Sequence, residues 1–154
     1  MVKNVWLKEL LANEILIAAI IGWFSAQVIK FLLVLIEDKR INFERLVGSG
    51  GMPSSHTSFV TALTAAVALN EGLSSSLFAV CVVFSFVVMY DASGVRRATG
   101  EQAALLNRLV ENFGREKLEV TGERLKELVG HSPLEVFAGA ALGIAVAIVT
   151  HNIF

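Results

Sequence analysis

The sequence predicts an all-α, polytopic membrane protein: a bundle of about four transmembrane helices, preceded by a short N-terminal amphipathic helix and interrupted by a charged helical insertion. Of its 154 residues 55% are hydrophobic, and the mean hydropathy is +0.65. Charged residues make up only 18% of the chain and lie in clusters between apolar segments. Four apolar segments approach the length of about 20 residues that crosses a bilayer as a helix. We therefore treat residues 1–154 as one membrane-embedded domain.

The N-terminal part of the chain contains the amphipathic helix and the first span. Residues 2–12 have apolar residues at helical spacing and are expected to lie in the membrane interface. Residues 13–36 form the first predicted span, with Gln27 and Lys30 on one face. A lysine inside a span usually faces a partner or a wet cavity, although Lys30 is also close enough to the helix end to reach the interface.

Two further spans follow a charged loop at residues 37–52. Residues 54–70 are rich in alanine and threonine, which suits close helix packing in lipid. Residues 74–92 are almost entirely Val, Phe, Leu and Ala, and this third span is expected to end at the polar residues that begin with Asp91. The chain thus crosses the membrane three times before its second charged segment.

That second charged segment, residues 98–130, is predicted to be an extramembrane insertion. Its apolar residues from 105 to 113 are spaced for an amphipathic helix, and a second short helix is expected at about 121–129. The last span, 132–150, begins with Ser132 as the cap and with Glu135 three residues later, the pattern of a capping box.

Composition excludes several classes of protein. The net charge of −1 gives no case for binding nucleic acid. The single Cys81 lies in an apolar run, so neither a disulfide framework nor a thiol-rich metal site is predicted. A small transporter has little support, because no inverted repeat is evident.

Residues 48–58 form a glycine-rich loop that runs into the start of a helix. The free N–H groups and the dipole at a helix start bind anions, most often phosphate. His56 would place an imidazole beside that anion. The same residues also fit a glycine turn followed by a serine cap with an incidental histidine.

The alternation of four spans brings the polar motifs to one membrane face. Lys30, residues 54–56, residues 91–97 and His131 all lie at the ends of spans on that side. This face also holds the basic residues 39, 40 and 45 and the seven between 96 and 126, whereas Lys3 and Lys8 lie with the termini. The positive-inside rule makes it the cytoplasmic face of a bacterial-type cell membrane.

Two histidines and several cations at one face suit hydrolysis of a phosphomonoester. Cations stabilise the charge on the phosphoryl oxygens, one histidine attacks phosphorus and the other protonates the leaving group. Glu135, one turn after His131, is placed to orient its imidazole, although a cap on Ser132 also explains this carboxylate. Neither a metal ion nor a cofactor is expected, since only Asp91 and Glu101 offer a carboxylate pair for a metal.

Three strings in the sequence resemble a known family. Residues 53–56, Pro-Ser-Ser-His, resemble the Pro-Ser-Gly-His motif of the type 2 phosphatidic acid phosphatases, and residues 130–139 resemble that family's last motif. Together with Tyr-Asp-Ala-Ser-Gly-Val-Arg-Arg at 90–97, they make the chain similar to the small divergent bacterial and plastid branch of the family. The likeness covers most of residues 15–150.

The resemblance implies roles for individual residues. It makes His131 the nucleophile, Glu135 its orienting carboxylate and His56 the general acid. It assigns phosphate contacts to Ser54, the Ser55 backbone, Lys30 and either Arg96 or Arg97. The Arg-Pro of the family's first motif is not present, so Arg40 or Arg45 would have to replace its arginine, and Asp91 is a further candidate.

The function expected from this resemblance is that of an integral membrane phosphatase. Its substrate would be a lipid phosphate of the phosphatidylglycerophosphate, phosphatidic acid or polyprenyl phosphate class. The alternative is a non-catalytic membrane protein that binds anionic headgroups in a degenerate pocket. Because related membrane enzymes resemble six-helix bundles, a homodimer is one way in which four spans would complete the bundle.

Overall fold

The computed structural model describes residues 5–38, 51–113, 125 and 130–154, and within these ranges the regular elements are helices, with no β-strand. The prediction of an all-α bundle is confirmed. The elements are α1 (Val5–Leu11), α2 (Glu14–Asp38), α3 (Ser55–Glu71), α4 (Ser76–Tyr90), a π-helical turn (Asp91–Val95), α5 (Arg96–Phe113) and α6 (Pro133–Ile153).

Helix α3 is the centre of the bundle. It packs against α2, α4 and α6, and α2 also packs against α6. Small residues allow this arrangement, because Ala18 of α2, Ala66 of α3 and Ala147 of α6 meet in a core where each is 0% exposed. Association of helices in lipid depends on such close packing, since lipid tails are as apolar as the side chains themselves.

Glycines bring the backbones of α3 and α6 together. A Cβ atom at Gly143 would overlap the Thr61 hydroxyl and the Ser58 carbonyl oxygen, and one at Gly139 would overlap the Ser54 carbonyl oxygen. On its other side, α3 is tied to α2 by a hydrogen bond of 2.8 Å from Ser58 Oγ. Close backbone approach therefore fixes the position of α3 between its two neighbours.

Three helices in the described ranges are long and apolar enough to cross a membrane: Glu14–Ile36, Ser76–Asn112 and Pro133–Ile153. Helix α3 has 17 residues and is therefore about 25 Å long. Helix α3 can be less apolar than α2, α4 and α6 because these three helices surround it. Its hydroxyls also bond to its own carbonyls, as Thr64 Oγ1 does to Val60 at 2.8 Å. The bundle thus agrees with the prediction of about four transmembrane helices.

The helix of the third span, predicted at residues 74–92, does not end at residue 92. Helix α4 instead continues through the π-helical turn into α5, so that residues 76–113 form one helical path. The polar residues in this region form hydrogen bonds with the preceding turn of the helix and do not end it. Ser93 Oγ donates to Met89 O at 2.8 Å, and Thr99 Oγ1 donates to Val95 O at 2.9 Å.

The amphipathic helix predicted in the insertion is confirmed as α5. The Asn107 amide exchanges two hydrogen bonds, of 2.9 and 3.1 Å, with the backbone of Leu125. The second short helix, predicted at about 121–129, lies outside the described residues except for Leu125. Most of the predicted loop at 37–52 also lies outside them.

Candidate active site

A buried histidine–carboxylate pair lies at the start of α6. His131 is 3% exposed, and its Nδ1 is 2.8 Å from Glu135 Oε2. The same oxygen accepts a hydrogen bond of 3.2 Å from the Ser132 N–H, while Ser132 Oγ accepts one of 3.4 Å from the Glu135 N–H. The capping box and the orienting contact therefore coexist, because Glu135 serves both through one oxygen.

The π-helical turn supplies the neighbouring groups. Within it the Arg96 N–H donates to the Asp91 carbonyl five residues earlier. Residues five apart on an α-helix are about 140° apart around the axis, whereas this wider turn brings Arg96 Nε within 2.6 Å of Asp91 Oδ2. In the same turn the Ala92 carbonyl accepts a 2.9 Å hydrogen bond from the His131 N–H. The turn thus joins α4 to the histidine that precedes α6.

No sequence pattern predicted the π-helical turn. Ser93 and Gly94 are poor helix formers, and this was the available signal that the helix is irregular here. That signal does not distinguish a π-helical turn from the end of a helix.

A cavity of about 270 Å³ opens beside these groups. Two histidines, His56 and His131, stand in its wall together with Arg96 and Asp91. His56 is exposed, and it lies within electrostatic reach of Arg96, His131, Lys30 and Asp91. The cavity therefore presents imidazole and guanidinium groups to whatever enters it.

Lys30 is buried near this cavity but is not part of its described wall. It is 3% exposed, so it does not reach out to the interface, and it lies within electrostatic reach of Glu135. Its aliphatic stem lies close to Gly51, where a Cβ atom would be 3.4 Å from Lys30 Cγ. Gly51 also has a φ of +85°, a conformation that favours glycine.

Ser54 and Ser55 are buried at the start of α3 and do not belong to the described cavity wall either. Ser54 Oγ caps the helix by accepting hydrogen bonds from Thr57 N at 3.4 Å and Thr57 Oγ1 at 3.0 Å. The Ser54 N–H donates to the Glu135 carbonyl at 3.0 Å, which connects the starts of α3 and α6. These contacts give Ser54 a structural role.

The two neighbouring arginines have different surroundings. Arg96 lines the cavity, whereas Arg97 Nε pairs with Glu101 Oε1 at 3.1 Å and its side chain is 53% exposed. Arg40 and Arg45, the candidates for the first-motif arginine, lie outside the described residues. In the part of the chain that the structure describes, no group of three His, Cys, Asp or Glu side chains is arranged to hold a metal ion.

The bundle, with two histidines and an arginine around one cavity, defines the chain as an integral membrane protein. The chain matches the divergent PAP2 family over residues 11–146 and belongs to that family. It is 42% identical over 156 residues to the "Uncharacterized membrane protein YuiD" of Bacillus subtilis (strain 168), and the alignment covers 95% of this chain and 99% of the relative. No solved structure matches the chain significantly.

Proposed function

We propose that this protein is a membrane phosphatase that hydrolyses a lipid phosphate monoester or diphosphate. Phosphatidylglycerophosphate, phosphatidic acid and polyprenyl phosphates are the candidate substrates. The observation that carries the proposal is the 2.8 Å contact between His131 and Glu135 at a cavity that His56 also lines. Membership of the divergent PAP2 family supports it.

The first step of the proposed reaction uses His131 as the nucleophile. Glu135 accepts a hydrogen bond from the Nδ1–H of His131, and the tautomer that this selects leaves Nε2 unprotonated, the orienting task that Asp performs in a Ser-His-Asp triad. Nε2 attacks phosphorus, the P–N bond forms, and the bond from phosphorus to the ester oxygen breaks.

His56 moves protons in both steps. As the ester bond breaks, protonated His56 donates its proton to the leaving oxygen. Neutral His56 then takes a proton from the water that attacks the phosphohistidine, and inorganic phosphate leaves while His131 is regenerated. Both histidines are returned to their starting states.

Positive charge at this face would stabilise the transition state. Arg96 in the cavity wall is placed to bind the non-bridging oxygens. Lys30 adds positive potential from its buried position, as do the N-termini of α3 and α6. The proposed route uses these groups and requires neither a metal ion nor a cofactor.

We place the reaction at the cytoplasmic face of a bacterial-type cell membrane. Arg96 lines the cavity, Arg97 and Arg108 follow it in α5, and the positive-inside rule supports that orientation. The homodimer expected from the number of spans remains a prediction.

The test is phosphate release by the purified protein in detergent from a panel of lipid phosphates, with a chelator present. His131→Ala and His56→Ala are expected to abolish release while the protein remains folded. The matched control is His151→Ala, since this third histidine bonds to Glu14 at the other end of the bundle and is expected to leave turnover unchanged.

Two results of this test would contradict the proposal. No release from any lipid, together with headgroup binding that is lost in Arg96→Gln, would overturn the enzyme proposal in favour of a non-catalytic headgroup-binding protein. Release that survives in His131→Ala would overturn the phosphohistidine route.

A further inference from the structure

A second cavity, of about 330 Å³, lies within the membrane-spanning part of the bundle. It is a groove between α4 and α6 with α3 as its floor. Phe78, Val82, Phe86 and Met89 form the α4 wall, Ile144 stands on α6, and Ala65 lies on α3. We call it the α4–α6 groove.

The groove presents hydrocarbon even though three hydroxyl groups, those of Thr61, Thr64 and Ser85, lie along it. Thr61 Oγ1 donates to the Thr57 carbonyl at 2.8 Å. Thr64 Oγ1 and Ser85 Oγ are 2.8 Å apart. Ser85 Oγ also donates to the Val60 carbonyl at 3.1 Å, and Thr64 Oγ1 donates to the same carbonyl at 2.8 Å. Because all three hydroxyls are paired within the protein, the groove suits an apolar occupant.

The groove begins close to the candidate active site. Met89 lines the groove, and Ala92 lines the cavity of the candidate active site. The two residues are three apart in sequence, which is about 4.5 Å along the helix axis. Phe78, at the other end of the groove, lies about 16 Å further along α4. The groove therefore runs along most of α4, from next to the cavity wall to the third residue of the helix.

We propose that the α4–α6 groove holds one hydrocarbon chain of the phosphorylated lipid whose headgroup enters the cavity with His56 and His131. This proposal rests on the proposed function and specifies its substrate as a lipid with a long chain. Lipid tails outside the protein are as apolar as the groove, so its occupation adds little binding energy. Its effect is to orient the lipid so that phosphorus faces His131.

The first experiment fills the groove. Ile144→Trp is expected to lower kcat/KM for a long-chain phosphatidic acid at least about tenfold and to leave that for a water-soluble short-chain phosphatidic acid unchanged. Ile148→Trp is the matched control, because Ile144 and Ile148 are 47% and 48% exposed on the same helix and only Ile144 lines the groove. Val82→Phe fills the groove from the opposite wall and is expected to behave like Ile144→Trp.

The outcomes distinguish a failure of the groove proposal from a failure of the proposed phosphatase activity. Equal losses of kcat/KM on both substrates, or equal effects of Ile144→Trp and Ile148→Trp, would overturn the proposed role of the groove. The proposed phosphatase activity would be unaffected by that result. A parent protein that releases phosphate from neither substrate would instead overturn the proposed function, and the groove is then judged by binding alone.

The binding experiment uses a long-chain phosphatidic acid with a photoreactive group in its chain, and the labelled peptides are mapped by mass spectrometry. Labelling is expected to concentrate on residues 78–89 and on the α6 segment around Ile144. Unlabelled phosphatidic acid should compete, and phosphatidylcholine should not. Equal competition by phosphatidylcholine, or labelling spread over all lipid-facing residues, would mean that the groove holds ordinary bilayer lipid and would overturn the proposal.

Discussion

Glu135 contacts two groups through one carboxylate oxygen. Oε2 lies 2.8 Å from His131 Nδ1 and 3.2 Å from the Ser132 nitrogen. A mutation of Glu135 therefore disturbs the helix cap and the histidine together. Ser132 offers the means of separating the two effects, because its hydroxyl takes part in the cap by accepting from the Glu135 N–H at 3.4 Å.

We predict that Ser132→Ala and Glu135→Gln have opposite profiles. Ser132→Ala removes the acceptor for the Glu135 N–H and should lower stability by about 1 kcal/mol, the usual effect of losing a cap, with turnover within a few-fold of the parent. Glu135→Gln keeps the size of the side chain but removes the charge that stabilises the imidazole. It should lower phosphate release by roughly 10²- to 10⁴-fold.

Thermal unfolding in detergent and phosphate release measure the two effects. Equal loss of turnover in the two variants would show that the cap alone is needed, and the orienting role of Glu135 would then be rejected.

We also predict that the two neighbouring arginines differ in function. Arg96→Gln should lower turnover by roughly 10²- to 10³-fold, the range for removing one donor that stabilises transition-state charge. Arg97→Gln should leave it almost unchanged, because Arg97 pairs with Glu101 and does not line the cavity. Steady-state kinetics on one lipid phosphate compare the pair, and a larger effect of Arg97→Gln would contradict the assignment.

At the scale of single residues, the sequence predicted which residues are candidates for the site better than it predicted the groups that they contact. His56, His131 and Glu135 stand in recognisable motifs, and the alternation of spans was enough to place both histidines at one face. The choice between Arg96 and Arg97 depends on helix phase, since neighbouring residues point about 100° apart. That phase is set by the π-helical turn, which the sequence does not reveal.

At the scale of the element, the π-helical turn does most to assemble the site. It brings Arg96 to Asp91 and the Ala92 carbonyl to the His131 N–H. Such turns are single insertions in an α-helix and are frequent at functional sites. Because the turn absorbs one extra residue, Arg96 lies on the Asp91 face although the two are five residues apart. Adding one further residue would rotate everything beyond it by about 100°.

We predict that insertion of one alanine after Gly94 abolishes turnover while the protein keeps its helical content. The reason is that Arg96 would rotate by about 100°, away from Asp91 and the cavity. Gly94→Ala is the control, because a Cβ atom there would meet its nearest neighbour, the Tyr90 ring, at 4.0 Å, an ordinary contact. Circular dichroism and phosphate release check both variants, and normal turnover in the insertion variant would show that the position of Arg96 around the helix is not needed.

The helix starts were predictable where a cap marks them. Ser54 and Ser132 cap α3 and α6 as their sequences indicate, because a serine side chain satisfies the free N–H groups of the first turn. Residues 91–95 misled the prediction because Asp, Ser and Gly also favour turns. Local composition does not show that the helix on both sides continues through them.

At the scale of the whole molecule, polar clusters lie at both ends of an apolar bundle. Opposite the candidate site, Glu14 Oε1 accepts hydrogen bonds from Asn70 Nδ2 at 3.1 Å and pairs with His151 Nδ1 at 2.8 Å. These contacts join the start of α2 to the ends of α3 and α6. Nothing in the sequence indicates this contact, because its three residues are far apart in the chain.

The two ends of the bundle make the membrane orientation testable. Leu73 lies in the turn between α3 and α4 and is 73% exposed, whereas Ala98 is exposed at the start of α5, beside the candidate site. The native Cys81 is 7% exposed, so Cys81→Ser provides a background without reactive thiols. Leu73→Cys and Ala98→Cys are then introduced one at a time.

We predict that a membrane-impermeant maleimide labels Leu73→Cys in intact cells and labels Ala98→Cys only after the membrane is permeabilised. The reason is that Arg96, Arg97 and Arg108 follow the cavity wall in the same helical path as Ala98, and the positive-inside rule assigns a basic end to the cytoplasm. Gel-shift detection of the labelled protein gives the result, and the Cys81→Ser parent should remain unlabelled in both conditions. The reverse pattern would place the cavity with His56 and His131 outside the cell and its lipid substrate in the outer leaflet.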